Sequence, residues 1–257
     1  MTVEYFLLLV IAFLYGIVIG SFLNVCIYRI PKQESIVTVG SHCMKCNHAL
    51  KWYDLFPLFS FLCLRGKCRY CGTKLSWQYP LVELANGLLY VLIFAVLGFS
   101  AESVIYALLA SVMLVLSVID YRTMKVPFQV DVCVLILGVV HLIYDYHHWV
   151  YYIAGAGFCG GFLLLISVLF LVLFRKKGLG MGDVEFMAFA GLCIGFGEGL
   201  FAIVVGSVVG SVIECVKIAV TKKQGRFPMI PYLSFGVLVA VLWGAPLYEW
   251  YVNTFIY

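Results

Sequence analysis

Long apolar runs separated by polar connections set the character of this chain. Eight runs can be read, at residues 4–28, 80–99, 103–120, 130–144, 150–174, 183–198, 199–220 and 231–250. At about 15–25 residues each, they match the length a helix needs to cross the hydrocarbon core of a bilayer. The runs at 130–144 and 183–198 are short for a crossing, which predicts tilt or local thinning of the bilayer. Runs six and seven are parted only by Gly195-Phe196-Gly197-Glu198-Gly199. The pattern predicts an all-α polytopic integral membrane protein with eight transmembrane helices. Composition agrees: 64% of residues are hydrophobic and 12% charged, outside the range of ordinary soluble domains. The first run has only Glu4 ahead of it and no basic residue, so it reads as an anchor rather than a cleaved signal peptide.

Charge adds an orientation. Lys and Arg total 17 and fall in alternate connections only. Arg29, Lys32, Lys45, Lys51, Arg65, Lys67, Arg69 and Lys74 follow the first run. Arg122 and Lys125 follow the third, Arg175, Lys176 and Lys177 the fifth, and Lys217, Lys222, Lys223 and Arg226 the seventh. The other connections and both termini hold Glu4, Glu102, Asp145, Glu198 and Glu249 but no Lys or Arg. Because basic connections stay in the cytoplasm, both termini are expected outside, and an even number of spans is required. Topology and contact with anionic lipid account for the formal net charge of +4, so no nucleic-acid partner is expected.

One connection is too long to be a turn. Residues 30–78 carry most of the polar content and divide the chain into a first transmembrane helix (1–29), a cytoplasmic loop domain (30–78) and a seven-helix membrane domain (79–257). The loop holds two CxxC pairs, Cys43 with Cys46 and Cys68 with Cys71. Four thiolates in two such knuckles suit a tetrahedral Zn²⁺ site, and Lys45, Lys67 and Arg69 favour the thiolate form. Two disulfides or a redox dithiol are the alternative, which a reducing cytosol opposes. With all four positions taken by protein, the metal is expected to be structural, its binding energy folding a loop too small for a core. His42 and His48 flank the first knuckle as less favoured substitute ligands. Cys26, Cys63, Cys133, Cys159, Cys193 and Cys215 read as small packing residues. His147 and His148, beside Asp145 and Trp149, read as a solvated interfacial patch. Neither HExxH nor Gly-x-Ser-x-Gly occurs, so zinc proteolysis and serine hydrolysis lack support.

Asp120 and Asp183 interrupt the apolar pattern. A charge within a membrane segment costs about 2.5–3.5 kcal/mol on insertion scales and is read as functional by default. The plain alternatives are that Asp120 marks a helix end and that Asp183 caps the start of the sixth run. Both, however, fall at the predicted cytosolic boundary. Gly178, Gly180 and Gly182 leave little side chain around Asp183, so a peptide backbone can approach, and Val126-Pro127 ends the turn after Asp120. Two carboxylates a few ångströms apart share one proton. The ionised member can draw a proton from a trapped water that attacks a peptide carbonyl, and the protonated member can hydrogen-bond the carbonyl oxygen. The roles of base and acid stay open, because such a dyad titrates as a unit.

Taken in order, the motifs resemble the type IV prepilin peptidases, within the GxGD class of membrane aspartyl proteases. Gly20-Ser21-Phe22-Leu23-Asn24-Val25 with Tyr28-Arg29-Ile30-Pro31 is similar to the family's opening. The paired CxxC loop follows, with Trp52-Tyr53-Asp54 and Leu64-Arg65-Gly66 between its cysteines, then Ser76-Trp77-Gln78-Tyr79-Pro80-Leu81-Val82-Glu83-Leu84. Asp120 with Val126-Pro127 matches the first catalytic motif, Gly180-Met181-Gly182-Asp183 matches GxGD, and Pro231 to Gly236 resembles the final Pro/Gly motif. Glu185 and Phe128 depart from the pattern, standing where many relatives carry Lys and Asn. The resemblance implies a bacterial inner-membrane endopeptidase that removes basic leaders from prepilins or pseudopilins at the cytosolic face. It further implies N-methylation of the new N-terminus with S-adenosylmethionine, for which the sequence shows no independent motif.

Two other function classes compete. An ion- or proton-coupled transporter could use the two aspartates as ligands, but no internal repeat is detectable, and transporter sites usually lie near the midplane. An assembly factor with an inactive dyad is the weaker option.

Overall fold

A computed structural model describes residues 3–38, 40–175, 178–222, 225 and 227–255. Lys176, Lys177, Lys223 and Arg226, on which part of the charge argument rests, lie outside the described residues. The chain divides into two compact units, residues 1–99 and 100–257.

In the first unit, helix α1 (Val3–Arg29) packs against α3 (Gln78–Leu97), with the polar loop and a short helix α2 (Phe59–Cys63) between them in sequence. The two long helices touch backbone to backbone: a Cβ placed on Gly16 would lie 2.7 Å from the Gly87 Cα. Polar side chains join the same seam. Asn86 Nδ2 donates to the Gly16 carbonyl at 2.7 Å, and Asn24 Nδ2 donates to the Tyr79 carbonyl at 3.0 Å. Small residues and amide hydrogen bonds are how helices associate where no hydrophobic force separates them from lipid. At the end of α1, buried Arg29 donates to the carbonyls of Ser35 and Gly40, pinning the start of the loop.

The second unit contains α4 (Ala101–Thr123), α5 (Phe128–Tyr144), α6 (Trp149–Phe174), α7 (Met181–Ile194), α8 (Phe196–Thr221) and α9 (Ile230–Phe255). Ser100 caps α4, its Oγ accepting from the Ser103 N–H, and left-handed Met124 ends the helix. Pro127 then stands as the N-cap of α5 in an extended conformation, where the helix needs no N–H from it. Helix α7 packs against α5, α6, α8 and α9, while α4 packs against α5 and α9. On α6, Leu164, Leu165, Leu169, Val172 and Leu173 form an exposed apolar surface, as expected of a lipid-facing helix.

Each of the eight apolar runs corresponds to one long helix, α1 or α3–α9. The division between runs six and seven falls at Gly195, ahead of the expected 198/199 boundary. Gly195 has φ +86, a left-handed conformation open to glycine, and a single such residue suffices to separate α7 from α8. No strand is assigned among the described residues, only isolated bridges, so the all-α membrane class holds. Five helical stretches are long and apolar enough to cross a membrane: Val3–Lys32, Gln78–Leu97, Ala101–Thr123, Tyr146–Phe174 and Phe196–Thr221. Helix α5 and residues Ile230–Gly244 are apolar but shorter, and α7 has 14 residues. Among the described residues, length and composition thus qualify five crossings, and α9 as a helix continues to Phe255.

Candidate active site and metal centre

Asp120 lies in the last turn of α4 and is 5% exposed. Its Oδ2 accepts the backbone N–H of Ile230, the first residue of α9, at 3.2 Å. The start of a helix leaves N–H groups without intrahelical partners and carries the positive end of the dipole, so a carboxylate is well placed there. The local sequence sharpens the arrangement. In Pro228-Met229-Ile230-Pro231 the prolines have no N–H, which leaves Met229 and Ile230 as the donors.

Asp183 sits at the other helix start. Gly180 is the N-cap of α7, and the Asp183 side chain reaches back so that its Oδ2 accepts the Gly180 N–H at 3.1 Å. This is the carboxylate half of a capping box; glycine has no side chain to supply the other half. Asp183 is 8% exposed, and its carboxyl lies within electrostatic reach of Asp120. Among the described residues neither aspartate forms an ion pair. The nearby glycines differ in their surroundings. A Cβ on Gly180 would meet only the Asp183 carboxyl, at 3.0 Å from Oδ2, whereas one on Gly182 would strike Val126 at 2.7 Å. Gly180 thus keeps the approach to the carboxylate clear, while Gly182 is the notch that receives the link from α4 to α5.

The four knuckle cysteines converge. One ligand atom from each of Cys43, Cys46, Cys68 and Cys71 lies within 4.8 Å of all the others. Zn–S bonds of about 2.3 Å in a tetrahedron imply S···S edges of about 3.8 Å, and Cys43 Sγ and Cys71 Sγ stand 3.8 Å apart. The two knuckles repeat one backbone pattern. The N–H of Cys43 donates to the His48 carbonyl and that of Cys68 to the Thr73 carbonyl; the N–H groups of Asn47 and Gly72 return to the Cys43 and Cys68 carbonyls. Asn47 and Gly72 occupy the same left-handed position, and the bridges His42 to Ala49 and Lys67 to Lys74 close each knuckle. Backbone N–H groups of Cys46 and Lys45 draw the Cys43 thiol down to about 6. Cys71, though the Thr73 N–H pulls it the other way, is pushed up to about 11 by burial and by donating to the other sulfurs. Four sulfurs gathered this closely make a donor set that fits a soft divalent cation.

The histidines are elsewhere: His42 Nδ1 faces the Gly40 carbonyl at 3.1 Å, and His48 stacks on Tyr70. Asp54 ties the second knuckle to the segment before it, accepting from Arg69 Nε at 2.7 Å, Tyr70 Oη at 3.2 Å and the Lys51 N–H. Of the remaining cysteines, Cys26, Cys159 and Cys193 are buried packing residues, while Cys63, Cys133 and Cys215 are exposed. His148 pairs with Asp145 at 2.9 Å on an exposed surface.

Comparison with known proteins bears on both units. The model of the bacterial peptidase A24 N-terminal domain matches residues 14–97, and that of the type IV leader peptidase family matches residues 107–215. A prepilin leader peptidase/N-methyltransferase of Stutzerimonas stutzeri is 32% identical over 91% of this chain and 90% of its own length. The chain belongs to the type IV leader peptidase family. A protein of the same description from Bacillus subtilis strain 168 is 28% identical over 96% of this chain and 98% of its own. One from Myxococcus xanthus is 33% identical over 84% of this chain, which spans 65% of that relative's length. No solved structure matches. Family membership, with the apolar helices, makes this a multi-pass membrane protein of the peptidase class and leaves the transporter reading without support.

Sequence reasoning missed three side chains that the fold brings into play. Glu214, in the latter half of α8, is buried and accepts from Tyr232 Oη at 2.7 Å and Lys217 Nζ at 3.1 Å. Tyr232 lies two residues beyond Ile230, so this contact holds the turn that supplies the Asp120 donor. Asp131, in the first turn of α5, is fully buried. A lone acidic letter in an otherwise apolar run was the available signal for Glu214 and Asp131; Tyr232 carried none.

Proposed function

We propose that the protein is a membrane aspartyl endopeptidase that removes the leader of type IV prepilins or pseudopilins, with Asp120 and Asp183 as its catalytic pair. The observation that carries this reading is the convergence of two buried carboxyls from separate helices at the starts of α7 and α9, within electrostatic reach of each other. The pair activates a water held between it and the scissile carbonyl: the ionised carboxylate takes the water's proton, and the protonated partner donates to the carbonyl oxygen. A proton then passes to the leaving amine. Gly180 lets the substrate backbone approach Asp183 closely, and the notch at Gly182 fixes the wall opposite.

Charge distribution supports an active site on the cytoplasmic side with both termini outside. That leaves a basic leader in the cytosol and the substrate's apolar helix in lipid. The regions 1–29, 30–78 and 79–257 then act as anchor, metal loop and catalytic bundle. Cys43, Cys46, Cys68 and Cys71 hold a structural Zn²⁺, which when bound supplies folding energy to residues that cannot build a core. The N-methyltransferase activity named for the relatives extends to this chain, with S-adenosylmethionine as the methyl donor; no residue is assigned to that donor.

The test uses purified full-length protein in detergent with a leader-bearing prepilin. Cleavage before the substrate's apolar segment, lost in Asp120→Asn and in Asp183→Asn, is expected. Substantial cleavage by either variant removes the dyad. A mature N-terminus one methyl group heavier in the presence of the donor supports the second activity, and an unmethylated product rejects it.

A further inference from the structure

Asp131 is an unexplained carboxyl group. It is fully buried, and neither of its oxygens has a hydrogen-bond partner. Glu185 of α7 lies close enough to act on it electrostatically, with the same sign.

Helix register puts the two at one level of one seam. Gly138 stands seven residues after Asp131 on α5, and Leu192 stands seven after Glu185 on α7. A Cβ on Gly138 would meet Leu192 at 3.1 Å. Seven residues are about two turns and about 10.5 Å of rise, so stepping back two turns along each helix from that contact brings Asp131 opposite Glu185. Asp131, Val134, Gly138 and His141 form the buried stripe of α5, so the carboxyl points into the packing. Glu185, by contrast, is partly exposed, so its side of the pair meets the surface.

Interior carboxyl groups are normally hydrogen-bonded or paired with a cation. Here the nearest charge repels, so the carboxyl is left with room for a cationic partner that a ligand can supply. Its location says which ligand. Glu185 is two residues from Asp183, about 3 Å along α7. Asp131 is in the first turn of the helix that follows Asp120 through the Met124–Pro127 link. An extended peptide advances about 3.3 Å per residue, so a side chain within a few residues of a bond held at the dyad can reach the seam.

We propose that Asp131 and Glu185 form an anionic subsite that takes a lysine or arginine side chain of the cleaved peptide, close to the scissile bond. The proposal rests on the leader peptidase reading. It makes Glu185, one of the two departures from the family pattern, a specificity-determining residue.

The test pairs two leader peptides that differ only in a lysine or a glutamine at each position flanking the cleaved bond, presented to the full-length protein in detergent. Wild type is expected to favour lysine at one position by at least about tenfold in kcat/KM. In Asp131→Asn/Glu185→Gln the gap between the peptides closes through a rise in KM for the lysine peptide. Glu185→Lys is expected to shift preference towards a glutamate peptide. The single Glu185→Gln variant, altered at a half-exposed position, repeats the measurement should the double variant fail to fold. A preference that persists in these variants overturns the subsite, as does an equal loss on both peptides. Activity that requires added divalent cation, and loses that requirement in the variants, reassigns the pair to a metal. Failure of wild type to cleave any leader peptide overturns the underlying reading, and the subsite with it.

Discussion

Replacing Asp183 by asparagine separates a catalytic carboxylate from a helix cap, because the structure gives the two roles different costs. As a cap, Asp183 contributes one hydrogen bond, Oδ2 accepting the Gly180 N–H at 3.1 Å. Asparagine keeps an oxygen in that place, able to accept the same N–H. What is lost is the interaction of a negative charge with the first turn of α7, about 0.3–1 kcal/mol. For a chain of this size that corresponds to a fall in Tm of no more than about 4 °C. As half of a proton-transferring pair, by contrast, the same change removes the group that accepts or donates the proton, about 10²–10⁴-fold in rate. The assay is cleavage of a leader-bearing substrate in detergent, with thermal unfolding and metal content measured on the same sample. We expect Asp183→Asn to remain folded and metal-loaded while cleavage falls at least about 100-fold. Asp183→Ala loses the bond as well and should be less stable by about a further 0.5–1.5 kcal/mol. Cleavage by Asp183→Asn within a few-fold of wild type refutes the catalytic assignment. Loss of folding together with activity returns Asp183 to a structural role.

Three other outcomes follow from contacts outside the dyad. Tyr232→Phe removes the Glu214 hydrogen bond that holds the first turn of α9. A bond to a charged group is worth about 1.5–3 kcal/mol, and displacing the Ile230 amide by about 1 Å can cost up to about 10²-fold in kcat; KM should change little, and an unaltered kcat rules out the positioning role. Cys46→Ser should abolish stoichiometric zinc in the purified protein and expose residues 30–78 to protease, whereas brief chelation of wild type should spare peptide cleavage; a prompt loss of cleavage on chelation argues against a purely structural ion. Asp54 is held below the usual carboxylate range because the Arg69, Lys51 and Tyr70 hydrogen bonds outweigh its burial. A depressed carboxylate stabilises the fold above its unfolded value of about 3.9 and loses that contribution only as pH falls through the lower folded value. The ion pair is half solvent-exposed and worth no more than about 1 kcal/mol, so Asp54→Asn should raise loop proteolysis modestly and equally at neutral and mildly acidic pH, and a difference that has vanished at mildly acidic pH contradicts the assignment.

The helices were legible because apolar run length is a one-dimensional property. Each of the eight runs became a helix, and Gly195, with its left-handed backbone, was visible as a breaker even though its position relative to the boundary was misjudged. The CxxC spacing was legible for the same reason: a cysteine knuckle is local, and its repeat is written into Cys43-to-Lys51 and Cys68-to-Ser76. What could not be read were partners supplied by backbone. Nothing in the letter Ile at position 230 announces an amide donor to Asp120; only the flanking prolines, which silence their own nitrogens, hint at it. Register was equally hidden. Asp131 and Glu185 are more than fifty positions apart in sequence, and it takes packing such as the Gly138–Leu192 contact to align their helices. A cap at the helix start was the plain alternative for Asp183, and the letters alone do not place it at the third position reaching back to Gly180.

Anchoring by backbone has a consequence for how the dyad depends on its bundle. A carboxylate held by an arginine or lysine follows a flexible side chain and shares its lone pairs with a full positive charge. Asp120 and Asp183 are held instead by N–H groups of Ile230 and Gly180, whose positions are those of the helices α9 and α7 themselves. The separation of the two carboxyls is therefore set by the packing of α4, α7 and α9. Val126 lodged in the notch at Gly182 ties the segment following Asp120 directly to the turn that carries Asp183. Any side chain at 182 larger than hydrogen has to push that segment away, and Asp120 stands only one helical turn before it. The glycine of the GxGD motif nearest the aspartate thus acts through distance: it lets the segment after Asp120 close on the turn that carries Asp183, as the proposed pairing of the two acids requires.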